Sequence, residues 1–149
     1  MTSNKDHRKK KYKDEYVINV FNDKLEKIWE KKIDFSMADK DMVISQCQVS
    51  NEGDVFILIK EKSKEKRNKW CPSFDYLFLK VTSNGNVEKI KIEIENAYPK
   101  HAKLSIDKDG NFYILGYFTE KEKRDVFRLE HGIFFHKYNS KGDRIFRKK

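Results

Sequence analysis

A gapless internal repeat is the feature of this sequence that most constrains its fold. A shift of 57 residues lays residues 44–86 over residues 101–143. Under this shift, Val49–Leu58 (VSNEGDVFIL) falls on Ile106–Leu115 (IDKDGNFYIL). A unit repeated at such a spacing cannot bury its apolar surface alone, and it gains stability by stacking on neighbouring units.

Two further stretches extend the pattern. The sequence Lys-Glu-Lys-Arg occurs at residues 64–67 and again, identically, at residues 121–124. Near the start of the chain, residues 20–29 resemble residues 80–91, with a turn that we expect to be two residues shorter. The chain therefore holds the second half of one unit, one whole unit and most of a third.

The composition favours β-structure. Aromatic residues make up 13% of the 149 residues, with 11 Phe and 7 Tyr, and such side chains suit a pleated, half-buried surface. Only 6 Gly and 2 Pro are present, which argues against a disordered or collagen-like chain. Charged residues make up 38%, so every strand needs a solvated side or a charged loop at its end.

Apolar runs bounded by turn residues predict the strands. In the chain's first part and its complete unit we expect strands at Tyr16–Phe21, Leu25–Ile33, Val43–Val49, Asp54–Glu61, Asp75–Val81 and Val87–Ile94. The third unit repeats this plan from Ala102 to Phe146, which leaves Pro99 and His101 in a connection. Val55–Ile59 and Phe112–Leu115 are apolar without alternation, which predicts burial on both faces.

Four meandering antiparallel strands per unit are the plan of a β-propeller blade. We therefore expect an all-β chain of about two and a half blade-like repeats of about 57 residues. Residues 1–14 form a basic, disordered tail, and residues 15–149 form the repeat domain. Its parts are a half unit at 15–41, a full unit at 42–98 and a partial unit at 99–149. Propellers usually have about 4–8 blades, so we expect a larger or oligomeric propeller.

The repeat resembles bacterial β-propeller repeat proteins of the SBBP-like type. Residues 106–117 are similar to their Asp-x-x-Gly-Asn-x-Tyr-x-x-Gly stretch, and residues 75–80, followed by Gly85, to their Asp-x-Phe-x-x-Lys…Gly stretch. Two positions depart from the pattern, because Gly132 stands where Asp75 stands and Gly116 where Ile59 stands. The resemblance implies the fold and a binding or scaffolding role, and it implies no reaction.

The formal net charge is +9, and part of it is concentrated at the two ends of the chain. Basic ends can hold nucleic acid or acidic lipid by counterion release, and they can equally be solubilising tails. The first residues are polar, with no apolar segment typical of a signal peptide. No apolar run approaches the roughly 20 residues of a membrane helix, so we expect a soluble, cytoplasmic chain without membrane insertion. That expectation lapses if the sequence is a piece of a longer protein.

The sequence offers no constellation of catalytic, metal-binding or cofactor-binding residues. Asp107–Asn111 has the carboxylates of a calcium loop, but its sister loop Ser50–Asp54 lacks the first carboxylate, so the shared feature is a turn. His136 replaces the apolar Leu79 of the previous copy, which predicts a structural histidine. Cys47 lies on the apolar side of its strand, which predicts a small buried thiol. We expect no enzyme, cofactor or metal.

The doubled Lys-Glu-Lys-Arg loop is the candidate interaction surface. Each copy precedes an aromatic residue, and loops of a propeller gather on one rim, so the four residues of the predicted surface are Arg67, Trp70, Arg124 and Phe127. The alternative interpretation is a pair of solvated hairpin tips. The sequence favours a non-enzymatic interaction or scaffold module with a protein partner or self-association. A nucleic-acid-binding protein that uses the basic tail and loops is the alternative, and an enzyme with its active site in further blades also stays open.

Overall fold

The chain is all-β. A computed structural model describes residues 16–33, 41–65, 72–121 and 131–149, which form three antiparallel sheets. The strands are β1 (Tyr16–Phe21), β2 (Lys27–Ile33), β3 (Met42–Val49), β4 (Val55–Lys62), β5 (Phe74–Val81), β6 (Val87–Lys91), β7 (Ala97–Ile106), β8 (Phe112–Glu120), β9 (Gly132–Tyr138) and β10 (Arg144–Lys148). The tail predicted at residues 1–14 lies outside the described residues. Within the described ranges, no helix is long and apolar enough to cross a membrane.

Every sheet is a simple meander, in which each strand pairs with the next strand along the chain. The first sheet is β1–β2, the second is β3–β4–β5–β6, and the third is β7–β8–β9–β10. Val55 begins β4 and Phe112, its equivalent under the 57-residue shift, begins β8. The predicted strands and their order are thus confirmed where the structure describes them, apart from the differences given below.

Five hairpin turns share one hydrogen-bonding scheme. In each turn the first N–H donates to the fifth carbonyl, and the fourth N–H donates to the first carbonyl, at 2.8–3.1 Å. The turns are 22–26, 50–54, 82–86, 107–111 and 139–143. The fourth residue is a glycine with positive φ in four turns, and in the first turn it is Leu25, with φ of 63°. The expectation of a first turn shortened by two residues was wrong, because Leu25 takes the place of glycine in a turn of the same length.

The second sheet is the central layer and is buried on both faces. One face packs against the first sheet through a cluster that includes Val20, Ile57 and Leu79. The other face packs against the third sheet, where the Phe78 ring stacks on the Phe112 ring with centroids 4.0 Å apart. The residues of Val55–Ile59 are at most 3% exposed, which confirms the prediction of two-sided burial for β4.

Two strand boundaries differ from the prediction by three residues or more. Pro99 and His101 were expected in a connection, but both lie in β7, which begins at Ala97 and changes register between them. β6 was expected to reach Ile94 and ends at Lys91. After β6, a bridge between Ile94 and Ala97 turns the chain directly into β7. The buried side chains of Ile92 and Ile94 therefore belong to this turn and not to a strand.

Close packing explains the two glycines that depart from the repeat. Gly116 pairs with Ala102 beside the register change in β7, and a Cβ at this position would collide with the His101 carbonyl oxygen. A Cβ on Gly132 would lie 2.7 Å from Cζ of Phe118, whose ring covers that position. Both sites therefore require a residue without a side chain, whereas Ile59 and Asp75 have room in the second sheet.

Cys47 is exposed, and the prediction of a buried thiol was wrong. β3 is the edge strand of the second sheet, and its register shifts between Ile44 and Gln46. After this bulge the glutamines rather than the apolar side chains contact the third sheet. The Gln46 side-chain amide donates to the Leu104 carbonyl at 2.7 Å and its oxygen accepts from the Leu104 N–H at 2.9 Å.

Candidate functional site

The surface predicted from the doubled loops lies outside the described residues. Arg67 and Trp70 fall in residues 66–71, and Arg124 and Phe127 fall in residues 122–130. These four residues therefore stay a prediction, and the candidate site described below lies in other parts of the chain.

The candidate site includes β8, for which the prediction of burial on both faces was wrong. Its sequence predicts burial on both faces, but exposure alternates along the strand. Phe112 and Ile114 are fully buried against the second sheet, whereas Leu115 is 51% exposed and Tyr117 is 43% exposed. The third sheet is the outer layer of the described structure, so only one of its faces packs against another sheet.

The outward surface of the third sheet is an apolar patch, which we call the open face. Strand pairing sets Leu115 opposite Phe135 and Tyr117 opposite Ile133, so their side chains form one continuous block. The rings of Tyr113 and Phe135 lie 6.0 Å apart. Contiguous exposed apolar surface of this kind marks a site of interaction. The patch comprises Tyr113, Leu115, Tyr117, Ile133, Phe135 and, on β10, Phe146.

The charged side chains that strands β7–β10 place on the open face are all positive. Alternation along the strands and their pairing place Lys103, Lys137 and Lys148 on this face, beside the apolar patch. They place no aspartate or glutamate of β7–β10 there. The Lys137 ammonium lies 5.4 Å from the centroid of the Tyr113 ring, where the ring quadrupole attracts a cation. The site is therefore apolar and aromatic at its centre and basic at its margin.

Asp107 holds one end of the open face in place. Its carboxylate accepts hydrogen bonds from the Asn111 side chain at 2.9 Å and from the Tyr113 hydroxyl at 2.7 Å, and these lower its pKa to about 2. The same contact raises the pKa of Tyr113. Its other oxygen accepts the N–H groups of Asp109 and Asn111, both at 2.9 Å. This loop uses its acidic residue to order a turn and to orient Tyr113. Within the described ranges, no group of three or more potential metal ligands occurs.

His136 lies on the opposite, inward face of β9 and is only 2% exposed. Its Nδ1 lies 3.4 Å from the Tyr138 hydroxyl. Burial lowers the pKa of His136 to about 4, and the nearby positive charges of Arg144 and Arg147 act in the same direction. The imidazole is therefore neutral at physiological pH and packs as a core side chain. This is the structural role that the position of His136 in the repeat predicts.

A cleft of about 380 Å³ lies beside the junction of β6 and β7. Acidic and basic side chains line it in equal number, four of each. Several of them are paired with each other, such as Arg147 with Glu95 at 3.7 Å and Lys91 with Asp75 at 3.6 Å. The cleft thus neutralises its own charge and has no preference for an ionic ligand, which leaves the open face as the stronger candidate.

No protein-family model matches the chain, and comparisons with curated proteins and with solved structures found no match.

Proposed function

We propose that the chain is a non-enzymatic interaction or scaffold module of the β-propeller type, in which blade-like sheets stack face to face. The proposal is supported by the two four-stranded meanders and by the two apolar clusters that join the three sheets. Each cluster buries one face of the second sheet against a neighbour. In such a stack, the end sheets serve as the binding surfaces for further sheets.

One observation carries this proposal. Three patch residues, Tyr113, Leu115 and Phe135, stand 57 residues after Phe56, Leu58 and Phe78. The three earlier residues are at most 1% exposed, because the third sheet covers them. The open face thus repeats the pattern of a surface that binds a sheet inside this same chain, yet its Leu115 is 51% exposed.

Solution mass tests the proposal. Light scattering after size exclusion should give a mass above the 17.9 kDa of one chain, increasing with concentration. The Leu115→Lys variant should shift the mass toward that of one chain, because it puts a charge where apolar contact is needed. Val43→Lys is the matched control, since Val43 is 62% exposed on the edge strand β3, away from the open face. A single-chain mass at all concentrations, unchanged by either variant, would contradict the proposal.

A second candidate function is the binding of single-stranded nucleic acid. The strands of the open face carry aromatic rings and lysines, with the Asp107 carboxylate at one end, and bases stack on such rings while lysines contact phosphates. Titration of a labelled oligothymidylate tests it. Affinity should fall steeply as salt increases, and Phe135→Ala should weaken binding by about tenfold, since stacking contributes about 1–3 kcal/mol per base. Undetectable binding at low salt would exclude this candidate.

A further inference from the structure

We infer that the chain assembles head to tail: the open face of the third sheet binds the outward face of the first sheet in a second copy. The inference rests on the proposed function and specifies its partner. Contacts that the chain makes internally give the geometry, because both end faces are equivalents of surfaces that are already paired within it.

The outward face of the first sheet is the complementary half of that contact. Val17 is 43% exposed and Phe21 is 52% exposed on β1. The five-residue turns align Phe21, Val81 and Tyr138, since each immediately precedes its turn. Val81 packs toward the first sheet and Tyr138 toward the second, which in both cases is the preceding sheet. Phe21 therefore occupies the position that elsewhere in the chain contacts the preceding sheet.

The hairpin turns make a second recurring contact between neighbouring sheets. A Cβ on Gly85, in the turn of the second sheet, would lie 3.3 Å from the Lys31 ammonium on β2. A Cβ on Gly142, in the turn of the third sheet, would lie 2.9 Å from the Glu88 carboxylate and 3.5 Å from Cδ1 of Ile90 on β6. Each of these turns thus lies against the last strand of the preceding sheet.

Leu25 holds the same turn position in the first sheet. It is 82% exposed and has a positive φ, which a leucine adopts only at a cost. Strained residues of this kind are concentrated where function requires them. In the head-to-tail contact the turn of the first sheet lies against β10, where Phe146 and Lys148 are paired as Glu88 and Ile90 are in β6. The Leu25 side chain then packs on the half-exposed Phe146 ring.

Charge favours this arrangement over a symmetric one. Inside the chain, the Lys80 ammonium donates to the Ser140 carbonyl in the next sheet's turn at 2.6 Å. Lys137 is the equivalent of Lys80, and Asp23 holds the turn position of Ser140 in the first sheet. A lysine of the open face would therefore meet the backbone carbonyl of Asp23, beside the carboxylate of the same residue. Two open faces placed together would instead oppose lysine to lysine, which is unfavourable.

The two-stranded first sheet is wide enough for this contact. Its inward face already covers the two central strands of the second sheet, leaving Ile57 and Leu79 at most 3% exposed. The patch on the third sheet occupies mainly the corresponding strands, β8 and β9. A contact between unlike faces is heterologous, so it produces a ring if the rotation closes and a filament if it does not.

Disulfide trapping between single-cysteine chains tests the inference. Both natural cysteines are replaced by serine, and one pool carries Leu25→Cys while a second, tagged pool carries Phe146→Cys. On mixing and mild oxidation, the mixed Leu25–Phe146 dimer should exceed either like-with-like dimer by at least about tenfold, the ratio expected for roughly 1.4 kcal/mol of preference. Lys141→Cys, on the exposed turn of the third sheet, replaces Leu25→Cys as the matched control and should give no such excess.

The other outcomes are distinguishable. Oligomers that trap only Phe146 with Phe146 would overturn the head-to-tail arrangement and leave the proposed function standing. A single-chain mass together with no trapped dimer would overturn both. Oligonucleotide binding that is lost in Phe135→Ala, in a chain that stays single, would assign the open face to nucleic acid.

The Leu25→Gly variant separates assembly from folding. Glycine relieves the unfavourable φ of this turn, so the isolated chain should not lose stability. Assembly should nevertheless weaken by about tenfold, because burial of a leucine in an interface contributes more than about 1.4 kcal/mol. Assembly at wild-type strength in this variant would exclude the contact between the first turn and β10.

Discussion

Replacing His136 with leucine should remove an acid sensitivity from the fold. His136 is almost fully buried, and its pKa in the folded chain is lowered from 6.5 to about 4. Leu79, its equivalent in the second sheet, is likewise buried, so leucine is a side chain that this position of the repeat accepts. The substitution therefore removes the titration and puts an apolar side chain of similar size in place of the imidazole.

The sign follows from the lowered pKa. Above the ordinary value of 6.5 the histidine is neutral in both the folded and the unfolded chain, and pH has no effect through it. As pH falls from there toward about 4, the unfolded chain takes up a proton that the folded chain does not, so stability is lost. At about pH 5 the loss amounts to about 2 kcal/mol, since one pKa unit corresponds to about 1.4 kcal/mol.

Urea denaturation at about pH 7.5 and about pH 5 measures this effect. The wild-type chain should lose about 2 kcal/mol more between the two conditions than His136→Leu does. The variant at the higher pH is its own control, because it shows the packing cost of the substitution without titration. Equal losses in the two proteins would refute the reasoning, since they would mean that the folded chain protonates His136 as readily as the unfolded one.

Four other substitutions test the packing and the turns. Phe78→Ala should destabilise the fold by about 3–5 kcal/mol in chemical denaturation, because it removes a fully buried ring stacked on Phe112, and melting like wild type would contradict this. Leu25→Gly should raise the free energy of unfolding by about 0.5–1 kcal/mol in dilute solution, as relief of about 1–2 kcal/mol of strain exceeds the entropy cost of glycine, and a lower value would argue against strain. Gly116→Ala should destabilise the third sheet by more than about 3 kcal/mol, since its Cβ meets the His101 backbone, whereas Gly53→Ala, with only an ordinary contact to Trp29, should cost about 1–2 kcal/mol. Similar shifts of the melting temperature in Gly116→Ala and Gly53→Ala would refute that distinction.

The repeat predicts most of the fold because its signals are local. The turn glycines Gly53, Gly85, Gly110 and Gly142 mark four of the five short turns, and the apolar runs between them give the strands in order. The first turn was misjudged because Leu25 breaks the glycine rule, and sequence similarity alone then suggested a deletion. Backbone hydrogen bonds, which the sequence does not display, show that the turn kept its length.

The open face was hidden by the same repeat. Phe112–Leu115 has the composition of Val55–Ile59, so the two strands predict equal burial, but burial depends on whether another sheet follows. The position of β8 in the last sheet decides this, and no local pattern records it. The predicted burial of Cys47 was wrong for a related reason. A register shift in the edge strand β3 changed which side chains face the neighbouring sheet.

The meander order of the sheets also has a mechanical consequence. Every neighbouring pair of strands in a sheet is adjacent in the chain and antiparallel, so tension applied to the two ends of a hairpin opens its hydrogen bonds one after another. No pair within these sheets joins distant segments in a way that would load all of its hydrogen bonds at once. A module built in this way should unzip at low pulling force, strand by strand from a terminal strand such as β10.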